Sequence, residues 1–273
     1  MPELPEVETI CRGLRPHLQG RRIVRVKVFE PRLRHRIDPG LPACLRGQTI
    51  IQVDRRAKYI FVYLERKNVW VFHLGMSGKL IFVHPATPKQ KHDHIVVTLD
   101  NGQELRYHDP RRFGLSLVVP EAKLHELPQL RDLGLDPFDS QFDGQYLYSF
   151  TRRSSRRIRD LLLDQQVVAG IGNIYANEIL GRAGIRPTTR SSRLTREKVE
   201  RIVSMIPRVL SEAIRWCGTS FSDYRDADDQ FGEFQNHLRV YDRDGEECRV
   251  CPSTIKRVAL GNRSAFYCPS CQK

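Results

Sequence analysis

The first residues of the chain could supply a nucleophile and a group that transfers protons. Pro2 follows the initiator methionine, whose removal would leave Pro2 as a secondary amine. An α-amino group with a pKa near ~8 is about 10% neutral at pH 7, against roughly 0.04% for an ordinary lysine. Its attack on an aldehyde-like carbon would give an iminium ion, which accepts electrons. Glu3 and Glu6 lie nearby and could move protons. Because Met-Pro starts are common, this pattern alone favours catalysis only weakly.

Four of the seven cysteines have the spacing of a metal site. Cys248-x2-Cys251 and Cys268-x2-Cys271 are separated by sixteen residues, and this pattern predicts one tetrahedral Zn²⁺ ion held by four thiolates. Four protein ligands leave no open coordination position, so the zinc is expected to be structural. A pair of redox Cys-x2-Cys motifs or an iron–sulfur cluster is the alternative.

The segment between the two cysteine pairs is expected to form a basic fingertip. Residues 254–259 and 264–267 can pair as a hairpin, with residues 260–263 at its tip. The three remaining cysteines are predicted to be small buried hydrophobes; they are Cys11, Cys44 and Cys217.

The net charge points to a polyanionic partner. The chain has 45 Lys and Arg against 32 Asp and Glu, a net charge of +13, and its pI is about 9.7. Such a balance is typical of nucleic-acid binding, where phosphate neutralisation dominates the affinity. The cations are also clustered, with seven against one acid in residues 21–36 and five arginines without an acid in 152–159. The alternative is a well-solvated basic protein.

Length and composition exclude a membrane protein. Apolar residues make up 40% of 273, and no window approaches the ~18 consecutive apolar residues that a membrane span needs. The N-terminus is acidic where a secretory signal would be basic and then apolar, so a cytoplasmic location is expected.

Periodicity predicts an α+β chain. Residues 23–29, 60–64 and 69–72 have the alternating, β-branched character of antiparallel strands, and Asp100-Asn101-Gly102 marks a hairpin turn. An antiparallel β-sandwich domain is therefore expected over residues 1–133, and within it a helix over Pro5–Leu18 precedes the strands.

The second half of the chain reads as mainly helical. A linker is predicted at 134–150, a helical domain at 151–235 and a zinc finger at 236–273. The apolar stripe of Thr195–Trp216 predicts a helix capped by Thr195, which Pro207 should kink or loosen.

The start of the chain, Met1 to Thr9, resembles that of bacterial formamidopyrimidine-DNA glycosylase, the 8-oxoguanine repair enzyme. The similarity continues in order along the whole chain, and its ordered agreement is more specific than any one motif. The segments that carry it are 55–59, 73–78, 91–94, 109–114, 164–178 and the terminal four-cysteine finger.

The resemblance implies a bifunctional enzyme that excises damaged purines from double-stranded DNA and then cleaves the strand by β,δ-elimination. Pro2 would attack the anomeric carbon of the sugar, Glu3 would transfer protons and Glu6 would support it. Lys58 matches a lysine credited with proton donation and phosphate contact, and Arg263 a fingertip arginine assigned to δ-elimination. Without the resemblance, both cations would be read as solvated surface groups.

The resemblance also implies the residues that contact DNA. Met76, Arg111 and Phe113 match a trio that fills the space of the flipped base, with Arg111 facing the orphaned cytosine; from spacing alone, Met76 and Phe113 would be assigned to the core. Asn173 would bind a phosphate at a helix-two-turn-helix element. The further matched positions are His73, His92 and Arg159.

Two segments depart from the family pattern. Ser154, beside Arg153, stands where the family has a lysine, so the neighbouring arginines would supply the charge. The loop Phe221–Glu233, which matches the segment that closes on the flipped base, has one cation, Arg225, and is expected to be repelled by DNA at low salt. Its acids are Asp223, Asp226, Asp228, Asp229 and Glu233.

Two other functions remain open. The nearer one is endonuclease VIII, which prefers oxidised pyrimidines. Its N-terminal segment resembles Pro-Glu-Gly-Pro, however, and this chain has Leu4 in place of the glycine. A non-catalytic protein that binds damaged DNA would keep the basic surface and the finger and need no free Pro2 amine. The family expectation is a monomer associated with the bacterial nucleoid.

Overall fold

A computed structural model describes residues 1–221 and 224–273; Asp223 of the acidic loop lies outside the described residues. The chain divides into two compact units. The first comprises residues 1–131 and 214–235, and the second comprises 132–213 and 236–273. Residues 214–235, placed by sequence in the helical domain, thus pack with the first unit. No helix in the described ranges is long and apolar enough to cross a bilayer.

The first unit begins with the predicted helix. Helix α1 spans Leu4–Leu18, and its N-terminus has a capping box formed by Glu3 and Glu6. The apolar positions of its sequence period are all buried; they are Val7, Ile10, Cys11, Leu14 and Leu18. The stripe packs into the core because that arrangement removes all of these side chains from water.

Two four-stranded antiparallel sheets enclose the core of this unit, which confirms the predicted sandwich. One has the order β1-β6-β7-β5 and the other β2-β3-β4-β8. The strands are β1 Ile23–Val28, β2 Ile50–Arg56, β3 Tyr59–Leu64, β4 Asn68–His73, β5 Lys79–Val83, β6 Asp93–Leu99, β7 Glu104–His108 and β8 Leu115–Pro120. A short helix, α2 (Leu41–Leu45), and a 3₁₀ turn at Glu121–Glu126 also belong to this unit. The predicted turn at 100–102 joins β6 to β7.

The second unit is helical with a terminal hairpin, also as predicted. Its helices are α3 Gly144–Arg152, α4 Ile158–Leu162, α5 Asn173–Ala183 and α6 Arg196–Arg215, whose last two residues belong to the first unit. Helix α3 starts inside the predicted linker because the Asp143 carboxylate caps the backbone nitrogen of Tyr146 at 2.7 Å. The hairpin consists of β9 Lys256–Leu260 and β10 Arg263–Tyr267.

Helix α6 runs without interruption through Pro207, where the sequence predicts a kink or a loosened turn. Its N-cap is confirmed, since the Thr195 hydroxyl accepts a hydrogen bond from the backbone nitrogen of Lys198 at 3.3 Å. The predicted burial of the unpatterned cysteines holds only for Cys11. Cys44 is exposed on the five-residue helix α2, and Cys217 is exposed where the chain turns after α6 with a φ of 56°.

Candidate functional site

The predicted nucleophile and proton carrier lie at the first turn of α1. Pro2, Glu3 and Glu6 are all buried. The Glu6 carboxylate accepts a hydrogen bond from the Glu3 backbone nitrogen at 2.8 Å through Oε2. Two carboxylates at this end of a helix are stabilised by its unpaired amides and by its dipole. The N-terminal turn is therefore a fixed, buried arrangement of carboxylates next to Pro2.

A loop from the far end of the chain completes this turn. The second Glu6 oxygen, Oε1, accepts a hydrogen bond from the Thr219 backbone nitrogen at 2.8 Å. Tyr224 is buried, and its hydroxyl lies 3.0 Å from the carbonyl oxygen of Cys217 and 3.4 Å from that of Glu6. Its pKa is raised well above the ordinary value, chiefly because the phenol is buried. The loop thus packs on α1.

Two acids of this loop, Asp226 and Asp229, make contacts within the first unit. Asp229 pairs with Lys79, with 3.5 Å between Oδ1 and Nζ. An Asp226 oxygen accepts hydrogen bonds from the backbone nitrogens of Asp228 and Gln230. The guanidinium of Arg225 lies 3.2 Å from the centroid of the Phe231 ring. Most of these contacts lie within the loop itself, so its charged side chains stabilise its own conformation.

Lys58 lies in the tight turn between β2 and β3 and is only 7% exposed. It is therefore not a solvated surface cation. It lies close enough to His73 that burial first, and then the charges of Lys58 and Arg34, lower the His73 pKa from 6.5 to about 4. His73 Nδ1 accepts a hydrogen bond from the Gly75 backbone nitrogen at 3.1 Å. A neutral imidazole beside a buried ammonium results.

The three side chains predicted to fill the DNA stack are exposed on two loops of the first unit. Met76 is 40% exposed and Phe113 45% exposed. The Arg111 guanidinium stacks 4.9 Å from the centroid of the Phe113 ring. Because these large side chains are outside the core, the core assignment that spacing alone suggests for Met76 and Phe113 is wrong.

His92 lies in the turn directly before β6, in a cluster of imidazoles. Its ring centroid is 5.8 Å from that of His108 and 6.2 Å from that of His94. Desolvation and the neighbouring cationic groups lower its pKa. Asp93 pairs with His108, with 2.9 Å between Oδ1 and Nδ1. The predicted DNA contact at His92 thus lies in a polar cluster of imidazoles and a carboxylate.

In the second unit, the turn before α5 and the finger share one buried arginine. The Arg159 side chain is 1% exposed, and its Nη2 donates to Asn173 Oδ1 at 2.7 Å and to the Ser264 carbonyl at 3.3 Å. Nη1 lies 3.0 Å from Asp160 Oδ1. Arg159 was expected to contact DNA, and the structure places it in the interior, where it positions Asn173. Ser264 directly follows Arg263.

The departure at Ser154 is a turn among exposed arginines. Ser154 Oγ accepts hydrogen bonds from the Arg156 backbone nitrogen at 3.2 Å and from Arg156 Nε at 3.4 Å. Arg153 caps the C-terminus of α3 and is exposed. The exposed arginines around Ser154 thus leave positive charge at this position of the surface.

The four patterned cysteines converge. The sulfur atoms of Cys248, Cys251, Cys268 and Cys271 lie within 4.8 Å of one another, and they form the site of one structural zinc ion. The hydrophobic core beside them has only four buried residues, which are Val240, Ile255, Phe266 and Cys268. Such a small core needs the metal to hold it. Arg263 is exposed at the end of the two-residue turn of the hairpin, which is tighter than predicted.

Sequence reasoning missed two residues on α5 that hold the finger. The Glu178 carboxylate is completely buried and accepts hydrogen bonds from the backbone nitrogens of residues 239–241, each at 2.9 to 3.0 Å. Asn177 Oδ1 accepts from the Phe266 backbone nitrogen at 2.8 Å. Both lie in the 164–178 segment already noted, but only the fold reveals their partners.

Three sequence families match successive parts of the chain. Residues 1–116 match the formamidopyrimidine-DNA glycosylase N-terminal domain, residues 133–225 match the formamidopyrimidine-DNA glycosylase H2TH domain, and residues 245–273 match the zinc finger found in FPG and IleRS.

Similar proteins cover the whole chain. The formamidopyrimidine-DNA glycosylases of Hahella chejuensis and Thioalkalivibrio sulfidiphilus are 44% and 46% identical, each over 100% of both chains. A variant of the Lactococcus lactis FPG protein, solved in complex with Fapy-dG-containing DNA, superposes with a TM-score of 0.92 at 31% identity over 100% of both chains. MutM (FPG) from Thermus thermophilus superposes with a TM-score of 0.89 at 36% identity, over 99% of this chain and 98% of that chain.

Proposed function

The chain belongs to the formamidopyrimidine-DNA glycosylase family and is a DNA glycosylase, and from this premise we propose that it excises oxidised purines from duplex DNA and then cleaves the abasic site. The proposed substrates are 8-oxoguanine opposite cytosine and the ring-opened formamidopyrimidines. Relatives solved with Fapy-dG-containing and abasic-site DNA support this choice.

The observation that carries the proposal is the N-terminal turn, where Pro2 lies next to buried Glu3 at the start of a capped helix. With Met1 removed, the Pro2 nitrogen attacks C1′ of the damaged nucleotide, and the bond from C1′ to the base breaks. The base leaves with a proton, and the sugar ring opens to an iminium ion. Glu3 carries the proton transfers, and Glu6 keeps the Glu3 backbone in place.

The iminium ion then makes strand cleavage possible. It acidifies the C2′ proton, whose removal expels the 3′ phosphate, and a second elimination from C4′ expels the 5′ phosphate. Water releases the sugar fragment and restores the amine. Lys58, buried beside neutral His73, is the proposed proton donor and phosphate contact, and Arg263 is the proposed group for the second elimination.

Base flipping requires that the vacated stack be filled, since unstacking costs a few kcal/mol. Met76 and Phe113 are exposed apolar side chains on one unit, and Arg111 beside them can donate hydrogen bonds to the orphaned cytosine. On the second unit, Asn173, whose side-chain oxygen accepts a hydrogen bond from Arg159, is the proposed phosphate contact. The net charge of +13 favours the DNA backbone.

Borohydride trapping tests this function directly. The protein is incubated with a duplex that carries 8-oxoguanine opposite cytosine, and the reduced adduct is analysed by intact mass and tandem sequencing. A covalent product at Pro2 is expected, and Pro2→Gly should lose base excision while duplex binding persists. Glu3→Gln should also lose base excision; unchanged excision by that variant would disprove its role.

The two alternatives give different outcomes in the same assay. A preference for oxidised pyrimidines over 8-oxoguanine would indicate an endonuclease VIII-like enzyme. Binding to damaged duplexes without any adduct, together with a retained Met1 in the intact mass, would indicate a non-catalytic damage-binding protein. We further propose that the protein acts as a monomer in the bacterial cytoplasm, associated with the nucleoid.

A further inference from the structure

Asp109 is a completely buried carboxylate in the first unit, at the point where β7 leads into the loop that carries Arg111 and Phe113. Its Oδ2 accepts hydrogen bonds from the Gly114 backbone nitrogen at 2.9 Å and from the Tyr107 hydroxyl at 3.2 Å. Its Oδ1 accepts a hydrogen bond from the Ser77 hydroxyl at 2.7 Å. The carboxylate is therefore solvated by three neutral donors from three parts of the chain.

These donors flank the exposed side chains proposed to fill the stack. Ser77 directly follows Met76, and Gly114 directly follows Phe113. Ser77 Oγ in turn accepts a hydrogen bond from the Arg111 backbone nitrogen at 3.2 Å. The Asp109 carboxylate and the Ser77 hydroxyl thus connect two loops that lie more than 30 positions apart in the chain.

The two loops also touch without intervening side chains. Gly75 has a φ of 63°, and a Cβ at this position would lie 2.6 Å from the Phe113 carbonyl carbon. The Arg112 backbone, with a φ of 56°, is likewise in the left-handed region, and its nitrogen donates to the Asp109 carbonyl at 3.2 Å. Glycine adopts a positive φ without strain, so the close approach at Gly75 needs this residue type, whereas the left-handed backbone of Arg112 carries local strain that the surrounding contacts must hold.

We propose that Asp109 is a positioning residue for base flipping, which sets the spacing between Met76 and the Arg111–Phe113 pair by binding both of their loops. The proposal rests on the function given above. Exposed apolar side chains can enter a base stack only if their backbones stay fixed while the side chains lose contact with water. A buried carboxylate with three hydrogen bonds supplies that rigidity, because leaving the donors unpaired is costly.

Asp109→Ala removes both carboxylate oxygens and with them the three hydrogen bonds from Ser77, Tyr107 and Gly114. Asp100→Ala is the matched control because Asp100 is exposed at the β6–β7 turn of the same unit. Single-turnover excision of 8-oxoguanine is measured in a fully paired duplex and in a bubble of unpaired bases. Asp109→Ala should slow excision from the duplex at least about tenfold and from the bubble by less than about threefold, since the bubble removes most of the unstacking cost. Asp100→Ala should match the wild type on both.

Fluorescence of 2-aminopurine beside the lesion reports insertion independently of chemistry. The wild type should give an increase that Asp109→Ala reduces. This signal distinguishes the proposal from the proposed function: a wild-type protein that inserts but does not excise would refute the enzyme activity alone. If Asp109→Ala does not fold, Ser77→Ala should show the same pattern with a smaller amplitude. Equal slowing on duplex and bubble, or an unchanged 2-aminopurine signal, would overturn the proposal.

Discussion

Glu6 and Thr219 are 213 positions apart in the chain, yet a hydrogen bond of 2.8 Å joins the Thr219 backbone nitrogen to the Glu6 carboxylate. The other oxygen of the same carboxylate accepts a hydrogen bond from the Glu3 backbone nitrogen. A single side chain thus connects the proposed catalytic turn to the 216–235 loop. We therefore expect the ordering of the backbone at Thr219 to be coupled to that of the N-terminal turn.

Glu6→Gln should uncouple them. An amide offers one acceptor oxygen where two are used, so one backbone donor is left unpaired, at a cost of about 1–3 kcal/mol in the free energy of unfolding. Urea unfolding measures that cost, and amide hydrogen exchange at Thr219 should accelerate. Glu233→Gln changes an exposed acid of the same loop and should alter neither quantity. Wild-type stability and exchange in Glu6→Gln would contradict the coupling.

The depressed pKa of His73 predicts a loss of stability in acid. The unfolded chain, with a pKa near 6.5, takes up a proton at a pH where the native protein, with a pKa of about 4, does not. Stability should therefore fall as the pH is lowered from 6.5 to 4, by up to about 3 kcal/mol.

Unfolding free energies at several pH values test the His73 prediction. His73→Asn keeps a side-chain acceptor for the Gly75 nitrogen but does not titrate, so its stability should depend less on pH in this window. His35→Asn, the same change at an exposed histidine, should retain the wild-type profile. Identical profiles for all three proteins would show that His73 titrates normally.

Removal of the metal should unfold the finger. Metal analysis should find one zinc per chain, and a chelator or Cys268→Ser should expose the amides of β9 and β10 to hydrogen exchange, because structural zinc contributes on the order of 10 kcal/mol in isolated fingers. Duplex binding should weaken with it. Cys44→Ser, at an exposed cysteine outside the cluster, should keep the zinc. Protection of the hairpin without metal would refute this prediction.

Phe113→Ala should separate function from stability. The ring is 45% exposed, so its truncation should change the free energy of unfolding by no more than about 0.5 kcal/mol. Excision of 8-oxoguanine from a paired duplex should nevertheless fall about tenfold or more, since the wedge is lost. Phe138→Ala, at an aromatic residue 43% exposed in the second unit, is the matched control and should excise normally. Equal excision rates for the two variants would show that Phe113 does not act as a wedge.

Arg159→Ala should loosen the contact between the α4–α5 turn and the finger. It removes the charged donor to Asn173 Oδ1 and to the Ser264 carbonyl, which then keep only their bonds from Asn177 Nδ2 at 3.4 Å and from Asn173 Nδ2 at 3.2 Å. The expected cost is about 1–3 kcal/mol in the free energy of unfolding. The free energy of unfolding should fall, and salt-dependent duplex binding should weaken. Arg157→Ala removes an exposed arginine two positions away and should lower only the binding. A stability loss shared equally by both would indicate no specific role for Arg159.

The sequence by itself determined the local elements and the metal site. The stripe of Val7, Ile10 and Leu14 predicted α1, and the stripe after Thr195 predicted α6, because amphipathic periodicity is a local property of the chain. Cysteine spacing likewise predicted the zinc ligands, since each Cys-x2-Cys turn places two sulfurs on one ion. The ordered motifs indicated the family and the residues to examine.

Only the tertiary structure decided which of these residues are buried and what they contact. Lys58 is buried in a turn, whereas Met76 and Phe113 are exposed, each opposite to what local pattern suggests. The loop at 216–235 joins the first unit through Glu6, and Asp109 binds two loops that are distant in sequence. Burial and hydrogen-bond partners depend on contacts between segments far apart in the chain, and no local period encodes those contacts.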